Sequence, residues 1–248
     1  QAQADTEALG LSNIRFEAAD LRDLDGSLGR FDYIICHGVY SWVPPDAQAA
    51  ILRLCGMLLE PQGVAYVSFN ALPGWHARRM VTDLARLVDD ADLPPQRRAA
   101  RARSFMAFVA ENAPVDDAPL AAWLRAEIGQ IERLTDRYLF HEHFSKHSEA
   151  LYLPDFLSRA EAFGLRYVTD ADLPSAHATR LGPKVQSYLA GRCADRVALE
   201  RALDFLDPRL GPGDHIGRIQ LQLFHDFLPV PVSPYALRSQ PPAGVCCQ

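Results

Sequence analysis

Three short stretches of this 248-residue chain concentrate side chains that can do chemistry. Ala19-Asp20-Leu21-Arg22-Asp23 offers carboxylates and a guanidinium. Cys36-His37-Gly38-Val39-Tyr40-Ser41-Trp42 offers an imidazole, a glycine and two aromatic rings. Asn70-Ala71-Leu72-Pro73-Gly74-Trp75-His76 offers an amide, a Pro-Gly turn and a third large ring. A carboxylate accepts hydrogen bonds from an exocyclic amino group. An imidazole changes charge near neutrality, so His37 is a candidate general base. Gly38 lets the backbone pass close to a ligand. Aromatic faces attract cations by about 0.5–2 kcal/mol, which makes Tyr40 and Trp42 candidates for contact with positive charge. Each residue also has a structural reading: a turn carboxylate for Asp20, a satisfied strand-end imidazole for His37, core packing for Tyr40 and Trp42.

Each stretch follows an apolar run of strand length. Residues 13–18 (NIRFEA), 31–36 (FDYIIC) and 64–69 (VAYVSF) read as strands, the last two buried on both faces. Asp46, after Pro44 and Pro45, reads as the cap of a helix with Ala47, Ala50, Ile51, Leu54 and Leu58 on one face. Pro61-Gln62-Gly63 stops it. A second amphipathic helix carries Ala77, Met80, Val81, Leu84 and Val88. Strands alternating with helices imply βα units around a parallel sheet. In such sheets ligands bind at the carboxyl ends of the strands, where the three stretches converge.

From Asp89 the pattern turns helical, over 98–112, 120–133 and 153–163, with Gly164 as a stop. Residues 165–169 (LRYVT) read as one more strand. Helices are expected at 194–206 and 216–228, and the Pro-rich tail from Pro229 as extended or poorly ordered. The expected fold class is α/β: a partial Rossmann-like sheet followed by a mainly helical region. The expected divisions are 1–88, 89–172 and 173–248.

The balance of 25 basic against 31 acidic residues disfavours nucleic acid or an anionic membrane as partner. All the basic residues but Lys146 and Lys184 are arginine. Arg97, Arg98, Arg101 and Arg103 read as a solvated face. No apolar run approaches the roughly 18 residues of a membrane span. Five irregularly spaced cysteines fit a reducing cytoplasm better than a disulfide framework. Gln1 opens inside a helical pattern with no Met before it, so the chain reads as a fragment.

The order NIRFEAADLRDL … RFDYIICHGVYSWVPP … LLEPQGVAYVSFNALPGWHARRMV resembles the second half of a class I S-adenosylmethionine-dependent methyltransferase. More narrowly, it resembles bacterial enzymes that carry a methyltransferase regulatory domain, a group that includes rickettsial protein-lysine methyltransferases. HGVYSWVP and PGWHxRRM are the most distinctive marks. RYLFHEHF … LYLPDFLSRAEAFGLRY resembles the regulatory domain itself.

The resemblance implies a sheet of order 3-2-1-4-5-7-6, with the three strands above as numbers 3, 4 and 5. It implies S-adenosylmethionine as cofactor. Asp20, with Leu21 beside it, would meet the adenine amino group. His37 and Gly38 would lie at the methionyl part. Tyr40 and Trp42 would face the sulfonium, with His37 and Tyr40 as catalytic candidates. Trp42, Asn70, Pro73, Gly74 and Trp75 would line the acceptor pocket. The family's glycine-rich loop and ribose-binding acid would lie before Gln1, so the isolated chain is expected to be inactive. Residues 13–18, without their native neighbour, are expected to dock beside the next strand or to lie at an unpaired edge.

The implied partner is a methyl acceptor, with a protein lysine amine as one acceptor and a homodimer through the helical region as one assembly. Gly211-Pro212-Gly213-Asp214-His215-Ile216-Gly217 follows no strand and is rejected as a cofactor loop. His141-Glu142-His143 with His147 misses the H-E-x-x-H spacing, so no metal is expected. Two rivals remain: a nucleotide-dependent oxidoreductase on the same sheet type, although no Tyr-x-x-x-Lys is present, and a non-catalytic helical interaction module.

Overall fold

A computed structural model describes residues 1–113, 119–171 and 181–206, and the backbone of a strand at Arg218–His225. The rejected glycine run and the tail from Pro229 lie outside the described residues. In chain order the elements are α1 (Ala2–Ala8), β1 (Phe31–Cys36), α2 (Pro45–Leu58), β2 (Leu59–Ala71) and α3 (Trp75–Leu87). Then come α4 (Pro95–Asn112), α5 (Pro119–Ile131), α6 (Asp136–Phe144), β3 (Ala150–Leu151) and α7 (Leu153–Glu161). β4 (Leu165–Asp170), α8 (Pro183–Ala190), α9 (Arg196–Leu206) and β5 (Arg218–His225) complete them.

The fold is α/β, as the sequence implied. β1 and β2 run parallel, and the sheet order is β1-β2-β5-β4 with β5 antiparallel to both neighbours. This order corresponds to the 4-5-7-6 half of the implied sheet. The strand at Arg218–His225 corrects the helix expected over 216–228. The sequence Arg-Ile-Gln-Leu-Gln-Leu-Phe-His alternates with period two, and that period favours a strand. Residues 13–18 also differ from expectation: they lie exposed and, among the described residues, join no strand ladder. An extended segment with no neighbour to pair with has nowhere to place its backbone hydrogen bonds except water.

β2 is the axis of the sheet. Its register partners are β1 on one edge and β5 on the other. Asn70 pairs with Arg218 of β5 and with Ala150 of β3, so β3 must lie on the β1 edge. β1 stops opposite Val67 and β3 begins opposite Asn70. The chain after β1 leaves the sheet through that gap.

Ala65, Val67, Phe69 and Ala71 point into the main core, with Ile51, Leu52 and Cys55 of α2 and Leu153, Phe156 and Ala160 of α7. Phe156 stacks on Phe69 at 4.4 Å and receives the edge of Tyr40 at 5.1 Å. Gly56 lies so close to the Phe163 carbonyl that a Cβ would collide with it, so α2 approaches this turn backbone to backbone. Gly164, at φ +73°, ends the turn after α7 as expected. The opposite sheet face is open at β1, where Tyr33 and Ile35 are each 74% exposed. That strand is therefore covered on one face only.

α2 begins at Pro45 with Pro44 as its cap, so Asp46 is not the capping residue. Asp46 instead accepts from the Ala47 N–H in the first turn and binds Arg22. Pro45 is suited to that first position because its missing N–H would have no helical partner there.

α3, α4, α5 and α6 share a second core of Val81, Ala85, Ala99, Ala102, Met106, Ile128, Ile131 and Leu139. Met80, expected on the apolar face of α3, is 39% exposed; Thr82 and Ala85 are buried instead. Polar contacts lock this unit. Arg78 pairs with the buried Glu127 at 3.1 Å. Arg86 donates to the carbonyls of His143 and Ser145. Thr82 Oγ1 meets the buried His143 Nδ1 at 2.9 Å. The arginine run is largely paired: Arg98 grips Asp89 with two hydrogen bonds, Arg101 reaches Asp90, and Arg103 reaches Asp136. Arg97 and Arg101 are exposed, as expected of a solvated face, whereas Arg98 and Arg103 are part-buried in their ion pairs.

Two stability tests follow from these cores. Phe156→Ala should cost about 3–5 kcal/mol in urea unfolding, because three rings lose their common contact. His143 supplies the pH test. Burial, with Arg78 and Arg86 nearby, pushes its pKa down to about 3 from an ordinary value of 6.5. The unfolded chain therefore binds a proton that the folded chain refuses between those values. Stability associated with His143 is full above about pH 6.5 and is lost as pH falls toward 3. His143→Asn, whose amide can replace Nδ1, should show a shallower fall in melting temperature across that window than wild type.

Candidate functional site

The site grows out of the alternation of β2. Odd-numbered residues from Ala65 to Ala71 enter the core, which leaves Tyr66, Ser68 and Asn70 on the other side of the pleat. These three hold the loop that follows β1. Tyr66 Oη meets His37 Nδ1 at 3.1 Å, and their rings lie 5.8 Å apart. The Gly38 N–H donates to Ser68 Oγ at 2.7 Å. The Asn70 N–H donates to Ser41 Oγ at 2.8 Å. The Ser41 carbonyl then accepts from the Glu149 N–H at 2.9 Å, just before β3. Gly38 sits at φ +69°, a conformation that favours glycine, and a Cβ there would meet only open space.

Asn70 is 1% exposed, and its Nδ2 has no hydrogen-bond partner among the described residues. A buried amide donor without a partner is costly, on the order of 1–3 kcal/mol. Its position after the buried run of β2, beside Ser41, makes it the strongest polar mark of the site.

The chain after β2 turns through Pro73 and Gly74 into α3, whose first residue is Trp75. Trp75 is nearly buried and meets the half-buried Trp42 edge-on at 6.0 Å. The exposed His141 of α6 lies against Trp42 at 4.7 Å. The two post-strand loops and α6 therefore share one aromatic cluster. His76 is exposed next to it and reaches the Tyr152 hydroxyl at 3.3 Å.

Tyr40 is placed differently from its expected role. It is 1% exposed, packed on Phe156, and its carbonyl accepts from Gln48 Nε2. Its ring belongs to the core, so it presents no face to a ligand. Among the readings weighed for it, packing is the one that the structure places.

Asp20 is exposed, and among the described residues its carboxylate is engaged by Arg22. Arg22 donates to Oδ1 through its backbone N–H and Nε, and to Oδ2 through an Nη at 2.6 Å. The guanidinium of Arg22 holds the Asp20 carboxyl well below the usual carboxylate range. The same guanidinium reaches Asp46 of α2 at 2.8 Å. Arg53 of α2 donates to the carbonyls of Arg22 and Leu24. Leu21 packs against the main core between them. The 20–24 turn is thus tied to α2, although no strand precedes it.

Among the described residues, no three His, Cys, Asp or Glu side chains are grouped to hold a metal ion. His143 is turned into the helical core, away from His141 on Trp42. Among the described residues, no helix is long and apolar enough to cross a membrane.

The sequence pattern assigned no site role to Tyr66, Ser68 or Ser41, and offered His141 only as a metal ligand. The first two carry a visible signal, since they alternate with core residues along AYVSFNA. His141 carries none, because its meeting with Trp42 joins residues nearly a hundred positions apart.

Comparison with known proteins adds the family. Residues 135–209 match the family described as a predicted methyltransferase regulatory domain. The chain is 34% identical over 209 residues to protein RP789 of Rickettsia prowazekii (strain Madrid E), covering 84% of this chain and 38% of RP789. It is 32% identical over 151 residues to RP028 of the same organism, covering 61% of this chain and 60% of RP028. Among solved structures it is similar to PKMT2 from Rickettsia typhi, at 29% identity and a TM-score of 0.76, over 92% of this chain and 41% of PKMT2. A second structure of PKMT2, in complex with AdoHcy, gives a TM-score of 0.78 over 92% of this chain and 42% of that one. The chain thus spans less than half the length of RP789 and of PKMT2. The sheet order and the likeness to PKMT2 show a methyltransferase-like fold, and residues 135–209 carry the match to the methyltransferase regulatory domain.

Proposed function

We propose that this chain belongs to the working part of an S-adenosylmethionine-dependent methyltransferase and contributes the acceptor side of its site. The single observation that carries the reading is Asn70. A buried, unpartnered amide donor stands at the end of β2, beside the loop that holds His37 and Gly38. A buried donor left unpaired calls for an explanation, and at a strand end beside this loop a bound acceptor group supplies one. AdoHcy in the PKMT2 complex is what remains of S-adenosylmethionine after methyl loss, and it supports the choice of cofactor.

S-adenosylmethionine, when bound, supplies an electrophilic methyl on a cationic sulfur. The residues of this chain bind and orient. Asp20 offers acceptor oxygens for the adenine amino group. Gly38 lets the backbone approach the cofactor without a Cβ in the way. Trp42 and Trp75, with Pro73 and Gly74, wall the acceptor side, and the Asn70 amide donates to an oxygen of the acceptor molecule, leaving the attacking lone pair free. Such chemistry relies mainly on alignment and exclusion of water. An amine acceptor, a protein lysine among them, also has to shed a proton, and His37 is the exposed imidazole at the strand end. A methyl acceptor that is a protein, a homodimer through the helical unit and a cytoplasmic setting complete the proposal.

The test is calorimetry with S-adenosylmethionine and AdoHcy on the natural protein that contains these residues. Wild type should bind both. Asp20→Ala should bind roughly tenfold more weakly, the scale of one charge-assisted hydrogen bond. Equal affinity would remove Asp20 from the site, and no binding by wild type would sink the enzyme reading. Asn70→Ala should leave cofactor affinity within about twofold while lowering methyl transfer at least tenfold, since its amide is assigned to the acceptor.

A further inference from the structure

His37 is held through one of its two ring nitrogens. Tyr66 Oη lies 3.1 Å from Nδ1. Nε2 has no hydrogen-bond partner among the described residues, and the ring is exposed. Tyr66 is itself fixed. It lies in the paired part of β2, opposite Ile35 of β1 and Gln222 of β5. Two residues on, Ser68 accepts from the N–H of Gly38, next to His37. The imidazole is therefore located by its own side-chain contact and by the backbone clamp beside it.

The Tyr66 hydroxyl can donate to Nδ1 or accept from an Nδ1–H, and only the second arrangement leaves a free lone pair on Nε2. We propose that Tyr66 is a positioning residue that holds His37 in the Nδ1–H tautomer, donating to Tyr66 Oη, so that Nε2 is the basic nitrogen of the site. This rests on the methyltransferase reading above and narrows its substrate class to acceptors that lose a proton on methylation, of which the amine of that reading is the case taken here. In the step, the acceptor nitrogen forms a bond to the methyl carbon. The methyl–sulfur bond breaks, and its electron pair stays on sulfur as AdoHcy leaves. The proton of the acceptor nitrogen passes to Nε2 of His37, giving an imidazolium that returns it to water. Tyr66 touches none of the reacting atoms.

The experiment uses the chain labelled with 15N at its eight histidines, with long-range proton–nitrogen correlation at a pH where the rings are neutral. His37→Gln assigns the His37 signals by their loss. In wild type, His37 should show a protonated Nδ1 and an unprotonated Nε2. In Tyr66→Phe, which keeps the ring and removes the hydroxyl, the populations should reverse toward the Nε2–H form that unconstrained histidine prefers. Wild type already in the Nε2–H form, or an unchanged tautomer in Tyr66→Phe, overturns the proposal without need of any second variant. AdoHcy added to the natural protein separates the two levels of the argument. Binding that shifts the His37 signals supports the proton-transfer role, and binding that leaves them untouched overturns it. Failure to bind AdoHcy at all counts against the methyltransferase reading, while the tautomer result still decides what Tyr66 does.

Discussion

The arrangement depends on one strand having two different faces. Along β2 the residues entering the core are small, apolar or aromatic, and those between them are polar. Period two alone sorts them, since successive side chains point to opposite sides of the pleat. The core face anchors the strand against α2 and α7. Because it is anchored, the other face can hold the β1 loop at fixed points: Ser68 on Gly38, Asn70 on Ser41, Tyr66 on His37. A shift of one residue in register would exchange the two sets and release the loop. Pairing with β1 on one edge and β5 on the other resists that shift.

The helical unit meets this strand at its end. α3 follows directly from the β2 loop, and the buried Arg78–Glu127 pair ties α3 to α5. Breaking one partner of such a pair leaves an uncompensated buried charge, so the pair resists separation of the helices. α6 is fixed to α3 through Thr82, Arg86 and His143, and its exposed His141 then lies on Trp42. The helices therefore constrain the site through side chains belonging to the regulatory-domain match as well as through the covalent chain.

Much of this was legible in the residues. The βα alternation is written in apolar runs of strand length, and β1, β2 and β4 formed where the runs lie. Gly164, at positive φ, closes the turn just after α7. The failures have physical causes. Residues 13–18 have strand character, but a strand needs a neighbour, and local pattern cannot report one. Residues 218–225 combine enough leucine to suit a helix with an alternation that suits a strand, and the pairing of β5 between β2 and β4 decided it. Tyr40 carries the same chemistry as a ligand-facing ring, and only its depth distinguishes the two readings. Asn70 was recognisable by type and place; that its amide would lie buried and unpaired was not.

Arg22 holds Asp20 and Asp46 at the same time. On the proposed reading, a cofactor amino group arriving at Asp20 would meet an occupied carboxylate. Capture becomes an exchange of one donor for another, in which the guanidinium swings toward Asp46 or into solvent. The net gain is the difference between two hydrogen-bonding arrangements, so affinity at this end is set as much by how firmly α2 retains the released arginine as by the fit of the incoming group. Selectivity would then be expressed by a competition already present between the two carboxylates for one arginine, with the first turn of α2 taking part through Asp46.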